Sequence, residues 1–286
     1  MSPIGLSETG PNATGMKVVD TRAVLERRAA FPRGMVQPEG GYRFSLDSLL
    51  LACFARPGRG HAGLDLGCGC GVVGLALLLR QPDLRVTGVD IDPASLRAAE
   101  ANATALHLAD RYAPVQGDVA LWRPDRAVNF VVANPPYRPL VSGRISPDKR
   151  YADARFESRA DFTRFARCAA VALKTGGRFT LVHLAERLPE LMDGLTRAGL
   201  APKRMRLVHS RSDKEARTVL LEAVKAGRPG LHVEPPLVLH SGSGRDTRLT
   251  DEALAFCPFL SCRWGEQASC HPGETDHHTP SEDSHA

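Results

Sequence analysis

Strand-like and helix-like segments alternate between residues 44 and 224, and this alternation constrains the fold more than any other feature. Short apolar runs bounded by glycine, proline or charged residues alternate with segments whose apolar residues recur at helical spacing. This order is typical of an open, mostly parallel sheet with helices on both faces. We predict an α/β fold with seven strands. The last two, near 204–209 and 216–224, have no helix between them and should form an antiparallel pair.

The chain divides into three predicted regions. Residues 1–37 form an N-terminal extension that is partly disordered, residues 38–256 form one domain, and residues 257–286 form a disordered tail rich in polar residues. Inside the domain, Ser45 is expected to cap the first helix, and the polar segment 138–160 is a candidate mobile loop. A chain of 286 residues can bury a core without disulfides, so its seven cysteines are expected to stay reduced.

The charge is unevenly distributed along the chain. The net charge is +5, but residues 138–228 contain 20 Lys and Arg residues against 10 Asp and Glu residues. A polyanionic partner would suit this region, although a solvated protein face explains the charge equally well. No apolar run reaches the roughly 18 residues of a membrane-spanning helix, and residues 1–15 lack a secretory signal. We therefore expect a cytoplasmic protein; its oligomeric state is open, with a monomer as the expectation.

A glycine-rich turn, Asp65-Leu-Gly-Cys-Gly-Cys-Gly71, joins the first predicted strand to a helix that begins at Val72. Glycines let the backbone turn sharply and approach a ligand closely, and the helix that follows offers free N–H groups. A dinucleotide site uses a similar turn. Asp65, however, would repel a pyrophosphate and would meet a ligand ammonium group, such as that of S-adenosylmethionine. The alternative is that Asp65 only caps the turn.

Acidic residues follow the next two predicted strands. Asp90 ends the second strand, where an acid can accept hydrogen bonds from both ribose hydroxyls of a nucleoside cofactor. Asp92 precedes Pro93 and is expected to cap the next helix. Asp118, after the third strand, could accept a hydrogen bond from an adenine amino group, although an ordinary turn residue is nearly as good an explanation.

The sequence Asn134-Pro135-Pro136-Tyr137 follows an apolar strand and carries the sharpest chemical signal. The prolines fix the backbone as the strand ends, so that nearby carbonyls can point into a pocket. The amide oxygen of Asn134 and the carbonyl of Pro135 can then accept both hydrogens of a planar NH₂ group, on which Tyr137 can stack. The nitrogen of this NH₂ group is a poor nucleophile, and it gains positive charge as it attacks a sulfonium methyl group. Two hydrogen-bond acceptors would stabilise that charge. A rigid turn without chemistry is the alternative.

Together these motifs resemble the class I methyltransferases that act on amino groups, which have a Rossmann-like fold and use S-adenosylmethionine. The segments Gly41-Tyr-Arg-Phe-Ser-Leu-Asp47 and Ala154-Arg-Phe-Glu157 resemble, more narrowly, the bacterial tRNA1(Val) (adenine-37-N6)-methyltransferase family, and the resemblance covers about residues 38–256. It implies methyl transfer to N6 of an adenine beside the anticodon of a tRNA. The cofactor-binding residues expected on this basis are Asp47, Asp65, Gly67, Gly69, Asp90, Asp118 and Asn134, and the expected catalytic residues are Asn134, Pro135 and Tyr137.

Basic residues beside the Asn-Pro-Pro-Tyr turn are candidates for phosphate contacts on RNA. They are Arg138, Arg144, Lys149, Arg150, Arg155 and Arg159. A second basic cluster, formed by Lys203, Arg204 and Arg206, has a solvated strand edge as its alternative explanation.

Other function classes fit parts of the pattern. A protein-glutamine N5-methyltransferase shares the acceptor turn because a carboxamide also presents a planar NH₂ group. That family carries a helical domain before the cofactor turn, and the roughly 60 residues found here are too few for one. A DNA adenine methyltransferase would need a further domain to flip a base from a duplex. A basic RNA-binding protein without catalysis is the remaining alternative, and the intact acceptor turn argues against it.

No metal site is expected. The residues Cys257, Cys262, Cys270, His271, His277 and His278 could be assembled into a zinc site, but they lack the paired Cys-x-x-Cys spacing of structural sites. Cys68 and Cys70, inside the glycine turn, are interpreted as small space-filling residues.

Overall fold

A computed structural model describes residues 21–39, 43–58, 61–136 and 162–262 of the chain. The main strands follow one another in the predicted order. They are β1 (Ala62–Leu66), β2 (Arg85–Asp90), β3 (Tyr112–Gln116), β4 (Val128–Ala133), β5 (Leu173–Leu184), β6 (Leu200–His209) and β7 (Ala216–Lys225). The helices are α1 (Thr21–Ala30), α2 (Leu46–Phe54), α3 (Val72–Arg80), α4 (Pro93–Ala105), α5 (residues 162–172), α6 (Leu188–Arg197) and α7 (Asp251–Phe256).

The seven main strands are ordered β3-β2-β1-β4-β5-β7-β6 across one sheet. Strands β1 to β5 pair in parallel, and β7 runs antiparallel to both of its neighbours. The predicted mostly parallel sheet and its antiparallel terminal pair are therefore confirmed. The strand order reverses between β1 and β4, and ligands of open α/β sheets bind at such a point, beside the carboxyl ends of the strands.

The sheet is wider than the predicted seven strands. Two two-residue strands, β8 (His232–Val233) and β9 (Leu237–Val238), pair in parallel with β6, and β10 (His240–Ser241) and β11 (Arg248–Leu249) form a separate antiparallel pair. Segments this short show no recognisable alternation of apolar and polar residues, which is why the sequence does not reveal them.

Helices cover both faces of the sheet because successive strand residues point to opposite sides. Phe130 and Val132 of β4 pack with α2, α3 and α4, whereas Val131 and Ala133 pack with α5 and α6. Helix α2 is almost entirely buried from Ser48 to Phe54. It is therefore a rigid element of the core.

Two local expectations need correction. Ser45 occupies the position before α2, but its side chain makes no capping hydrogen bond. The sequence also predicts a helix from Ala160 to Leu173 that ends at Gly176-Gly177. Helix α5 instead ends before Leu173, where β5 already begins, so the Gly176-Gly177 pair lies inside the strand. The pairing of β4 with β5 shifts register between Val128 and Phe130, which accommodates this longer strand.

The predicted boundary after Phe256 also lies too early. Cys257 is completely buried, and a 3-10 helix, Pro258–Ser261, packs Leu260 into the core. The ring of Phe259 meets that of Phe31 edge to face, with centroids 5.2 Å apart. Residues before the domain and residues after it thus meet on one face. The rest of the proposed tail, residues 263–286, and residues 1–20 lie outside the described residues.

Within the described ranges, no helix combines the length and the apolar character needed to cross a membrane.

Candidate active site

Two turns begin side by side at the carboxyl edge of the sheet. Leu66 and Ala133, the last residues of β1 and β4, are register partners in the parallel pair. The glycine turn starts directly after Leu66, and Asn134 directly follows Ala133. The point where the strand order reverses therefore holds both of the motifs that the sequence singles out.

The glycine turn is tied to the end of β2. The N–H groups of Gly67 and Cys68 both donate to the carbonyl of Val89, at 2.8 and 3.1 Å. Gly71 has a φ of +84°, and a Cβ at this position would meet the ring of Tyr112, so a side chain would be strained and crowded there. Gly69 also has a positive φ, but a Cβ there would meet nothing within 4 Å. The turn thus leaves space for a ligand at Gly69.

Asp65 is buried beneath this turn and is only 1% exposed. Its Oδ2 accepts a hydrogen bond of 2.9 Å from the N–H of Gly74, in the first turn of α3. Burial raises the pKa of Asp65 to about 7, the Gly74 bond opposes this shift, and the charge of Asp90 adds to it. Asp65 therefore stabilises the glycine turn through this hydrogen bond, as the capping interpretation expects. Its contact with a ligand ammonium group stays a prediction.

Asp90 connects the glycine turn to the start of α4. Its Oδ2 accepts a hydrogen bond from Gly69 N at 2.8 Å, and its Oδ1 accepts one from Asp92 N at 2.9 Å. Each carboxylate oxygen has a further lone pair, so these bonds leave acceptor capacity for ribose hydroxyls. Asp92 caps α4 as predicted, since its side chain accepts from Ala94 N and Ser95 N.

The remaining predicted acids lie at the same edge of the sheet. Asp118 sits in a turn after β3, where its Oδ1 accepts from Ala120 N at 2.8 Å, as the turn interpretation expects. Asp47 lies in the first turn of α2, and Thr218 donates to its Oδ1 at 3.4 Å. Thr218 pairs with Leu184, the last residue of β5, which places Asp47 near the carboxyl end of that strand.

One polar atom of the Asn134 amide is hydrogen-bonded, and the other has no partner among the described residues. Its Nδ2 donates to the hydroxyl oxygen of Ser48 at 2.9 Å. Its Oδ1 is buried and has no hydrogen-bond partner among the described residues. A buried acceptor without a partner costs about 1–3 kcal/mol, so each such group calls for an explanation. Asn134 thus presents an acceptor that a ligand NH₂ group would satisfy.

Ser48 is a site residue that no motif identifies. It is 3% exposed and follows Asp47 at the start of a helix that is otherwise apolar from Leu49 onwards. A lone serine in such a helix is the one signal that the sequence offers. Only the fold shows that it meets Asn134, which lies 86 residues further along the chain.

The described residues fit S-adenosylmethionine at this edge. Asp65 and Asp90 carry the acidic groups suited to an ammonium group and a ribose, and Gly69, where a Cβ would meet nothing within 4 Å, is hydrogen-bonded to Asp90. The orphaned Oδ1 of Asn134 stands on the neighbouring strand end. Pro135, the second residue of the acceptor turn, is buried. Tyr137 lies outside the described residues.

The proposed RNA contacts fall into two groups. The first group, Arg138, Arg144, Lys149, Arg150, Arg155 and Arg159, lies outside the described residues. The second basic cluster needs correction because Arg204 is 7% exposed and pairs with Glu222 and Glu234. Arg206 pairs with Glu252, and β8 and β9 cover this strand, which is therefore not a solvated edge either. Arg204 and Arg206 therefore form ion pairs within the protein.

The cysteines of the described ranges are free thiols. Cys68 and Cys70 are buried, and burial raises the pKa of the Cys70 thiol to about 11, which suits the space-filling interpretation. No cluster of His, Cys, Asp and Glu suited to a metal ion occurs in the part of the chain that the structure describes. Of the zinc candidates, only Cys257 and Cys262 belong to that part.

Comparisons with known proteins also indicate a methyltransferase. Residues 46–193 match the family described as methyltransferase small domain. The chain is 30% identical over 191 residues to a tRNA1(Val) (adenine(37)-N6)-methyltransferase of Porphyromonas gingivalis, and the match covers 63% of this chain and 73% of that protein. It is 26% identical over 219 residues to the protein of the same name from Pedobacter heparinus, covering 75% of this chain and 92% of that protein.

Among solved structures, a predicted O-methyltransferase from Agrobacterium tumefaciens superposes with a TM-score of 0.61 at 21% identity. The match covers 75% of this chain and 96% of that chain. A likeness at this identity concerns the fold, not the group that accepts the methyl.

Proposed function

Because the chain belongs to the methyltransferase small domain family, we propose that it transfers a methyl group from S-adenosylmethionine to the exocyclic N6 of an adenine in tRNA. The class I methyltransferase fold expected from the sequence agrees with this membership. The position of the adenine would be 37 in a tRNA(Val), as in the names of the relatives.

The observation that carries the proposal is the orphaned Oδ1 of Asn134 beside the glycine turn. S-adenosylmethionine would supply an electrophilic methyl group at this edge of the sheet. The Asn134 oxygen, with the Pro135 carbonyl, would accept the hydrogens of the adenine NH₂ group and orient its nitrogen. Positive charge would develop on that nitrogen as its bond to the methyl group forms and the methyl–sulfur bond breaks, and preorganised acceptors stabilise such charge. S-adenosylhomocysteine would be the leaving group, and the methylated nitrogen would lose its extra proton to solvent without a conventional base.

The cofactor would be held by residues that the strand ends already bring together. Asp65 would pair with its ammonium group and Asp90 would accept from its ribose, while the turn at Gly69 allows close approach. Asp47, Gly67 and Asp118 complete the proposed cofactor site. No step requires a metal ion.

The choice of tRNA as substrate rests on the relatives and on charge. The excess of basic residues between 138 and 228 suits a polyanion, and the proposed phosphate contacts are Arg138, Arg144, Lys149, Arg150 and Arg155. Tyr137 would stack on the target base. We further propose that the protein works in the cytoplasm, where tRNA is modified, and as a monomer.

A substrate comparison tests the proposal. The purified protein is incubated with methyl-labelled S-adenosylmethionine and, in separate reactions, with unmodified tRNA, a peptide release factor and duplex DNA. We expect N6-methyladenosine in the tRNA, identified by nucleoside mass spectrometry. Label found only on a glutamine side chain would support the glutamine N5-methyltransferase alternative instead. Absence of transfer to any substrate would favour a binding protein without catalysis.

A further inference from the structure

We propose that Asn102 is a positioning residue for the cofactor, because it joins the glycine turn to the N-terminal segment formed by residues 31–37. Through this connection, residues that precede the predicted domain raise the affinity for S-adenosylmethionine. The inference rests on the proposed role of the glycine turn in holding the cofactor. Asn102 and the N-terminal segment lie outside that turn and outside the strand ends that carry the acidic residues.

The second half of the glycine turn needs support from another element. Gly69 and Gly71, which flank Cys70, both have a positive φ, and glycine restricts its own backbone less than any other residue. The N–H of Gly74, which one more helical turn would direct to the carbonyl of Cys70, donates to a side chain instead. The Cys70 carbonyl accepts its hydrogen bond from α4, where Asn102 Nδ2 donates at 3.0 Å.

Asn102 uses the rest of its amide to hold Val36. Its Nδ2 also donates to the Val36 carbonyl at 2.9 Å, and its Oδ1 accepts from the Val36 N–H at 2.8 Å. Both amide hydrogens thus face carbonyl oxygens and the amide oxygen faces an N–H donor, so the reverse placement of the amide would break all three bonds. The side chain is 3% exposed. One buried group of fixed orientation therefore binds the turn and the N-terminal segment together.

The N-terminal segment is held along α4 on its way to the turn. Arg28 donates to the carbonyls of the two residues that follow this helix, at 2.9 and 3.0 Å. Phe31 is 1% exposed in the core, and Val36 meets Asn102 about one helical turn before the end of α4. A binding turn that is already ordered by its neighbours costs less to order when the ligand binds. The docked segment therefore favours cofactor binding.

The first test separates cofactor binding from catalysis in Asn102→Ala. We expect the Kd for S-adenosylmethionine, measured by calorimetry at a temperature where the variant is folded, to rise about tenfold, near the upper end of what one hydrogen bond contributes. The KM for the cofactor should rise in parallel. The kcat at saturating cofactor should change less than about twofold, because the acceptor turn is unaltered.

Thr250→Ala is the control for a merely structural effect. It removes the side chain that caps α7 and makes no bond to the glycine turn or to Asn102. It should lower the thermal midpoint of unfolding and leave the Kd for S-adenosylmethionine unchanged. An unchanged Kd in Asn102→Ala, with only its stability lowered, would overturn the proposal.

Two variants of Val36 test the N-terminal segment without altering Asn102 or the turn. Val36→Pro removes the N–H that donates to Asn102, whereas Val36→Ala keeps it and shortens a side chain that is 52% exposed. We expect Val36→Pro to raise the Kd by about threefold or more and Val36→Ala by less than about twofold. In the Asn102→Ala background, Val36→Pro should add less than about twofold, since both changes break one connection. Equal effects with and without Asn102 would overturn the proposal.

Hydrogen exchange measures the same coupling from the N-terminal segment. If docking of this segment strengthens cofactor binding, saturating cofactor must protect the segment by the same factor. We expect S-adenosylmethionine to slow exchange of the Val36 N–H about tenfold in the parent and not in Asn102→Ala, read by mass spectrometry on peptides spanning residues 32–39. Peptides from α7 report any general stabilisation and should respond less. Exchange that does not respond to cofactor in the parent would overturn the proposal.

The proposed cofactor site fails in a different way. If the parent binds no S-adenosylmethionine, the role of the glycine turn is wrong and the inference falls with it. If Asp90→Ala weakens binding and Asn102→Ala does not, the cofactor site stands and the inference alone is overturned.

Discussion

Leu66 and Ala133 are register partners at the carboxyl ends of the parallel strands β1 and β4. Because each is the last residue of its strand, the turns that follow them begin at the same level. One turn contains the open glycine at position 69, and the other begins with Asn134. The pairing of two strands thus places a proposed cofactor site next to a proposed acceptor site.

Asp90→Ala should weaken the binding of S-adenosylmethionine by tenfold or more, which corresponds to at least about 1.4 kcal/mol. The change removes the proposed ribose acceptor and also the bond that holds Gly69 N. Isothermal titration calorimetry measures the effect. Asp92→Ala is the control, because that side chain caps α4 and should lower thermal stability with little change in affinity. Equal affinities of Asp90→Ala and the parent would exclude the ribose contact.

Cofactor affinity should fall about tenfold when the pH is lowered from 7 to 5.5. Burial raises the pKa of Asp65 to about 7, so below this pH the carboxyl is protonated and cannot pair with an ammonium group. Binding would favour the ionised form and therefore release a proton. Calorimetry in buffers of different ionisation enthalpy detects that proton. Asp65→Asn should remove the dependence on pH, and a dependence that persisted in this variant would assign it to another group.

Phe31→Ala should lower the free energy of unfolding by about 3–5 kcal/mol, as truncation of a buried phenylalanine does. The side chain is 1% exposed and contacts Phe259, so this contact joins the N-terminal region to residues beyond Phe256. Urea denaturation measures the change. Leu25→Ala, at a position that is 60% exposed, should stay within about 0.5 kcal/mol of the parent. Similar stabilities of the two variants would mean that this contact does not form.

Arg204→Ala should destabilise the protein by about 1–3 kcal/mol, because the buried Oε2 of Glu222 loses its hydrogen-bonded partner while Oε1 keeps its ion pair with Arg178. Arg204 also donates to Phe54 O at 2.6 Å and stacks on the Phe54 ring. The exposed Arg197→Ala should change stability by less than about 1 kcal/mol. A large loss of tRNA affinity in Arg204→Ala, without loss of stability, would restore the RNA-binding interpretation of this residue.

The order of strands and helices could be predicted because each main element shows its own periodicity. Strands β1 and β4 are apolar runs with clear ends, and Asp92 with Pro93 marks the start of α4. The positions of Asp65, Asp90 and Asn134 at strand ends then follow from the parallel sheet. The sequence alone could therefore predict most residues of the candidate site.

What the sequence did not reveal depends on contacts between distant segments. Ser48 and Asn134 are far apart in the chain, and no local pattern records their hydrogen bond. The basic residue Arg204 gives no sign that Glu222 and Glu234 neutralise it. The polar composition after Phe256 hides a short segment whose Leu260 is buried in the core. In each case the partner is supplied by the tertiary fold.

The most direct test of the proposed active site is the rate at which Asn134→Ala methylates tRNA, measured in a single turnover with saturating S-adenosylmethionine. The product is quantified as N6-methyladenosine by mass spectrometry. Loss of the acceptor oxygen should slow the reaction about 100-fold or more, the usual effect of removing one preorganised group that stabilises developing charge. Methylation by Asn134→Ala at nearly the parent rate would contradict the role of this side chain, and with it the proposed active site.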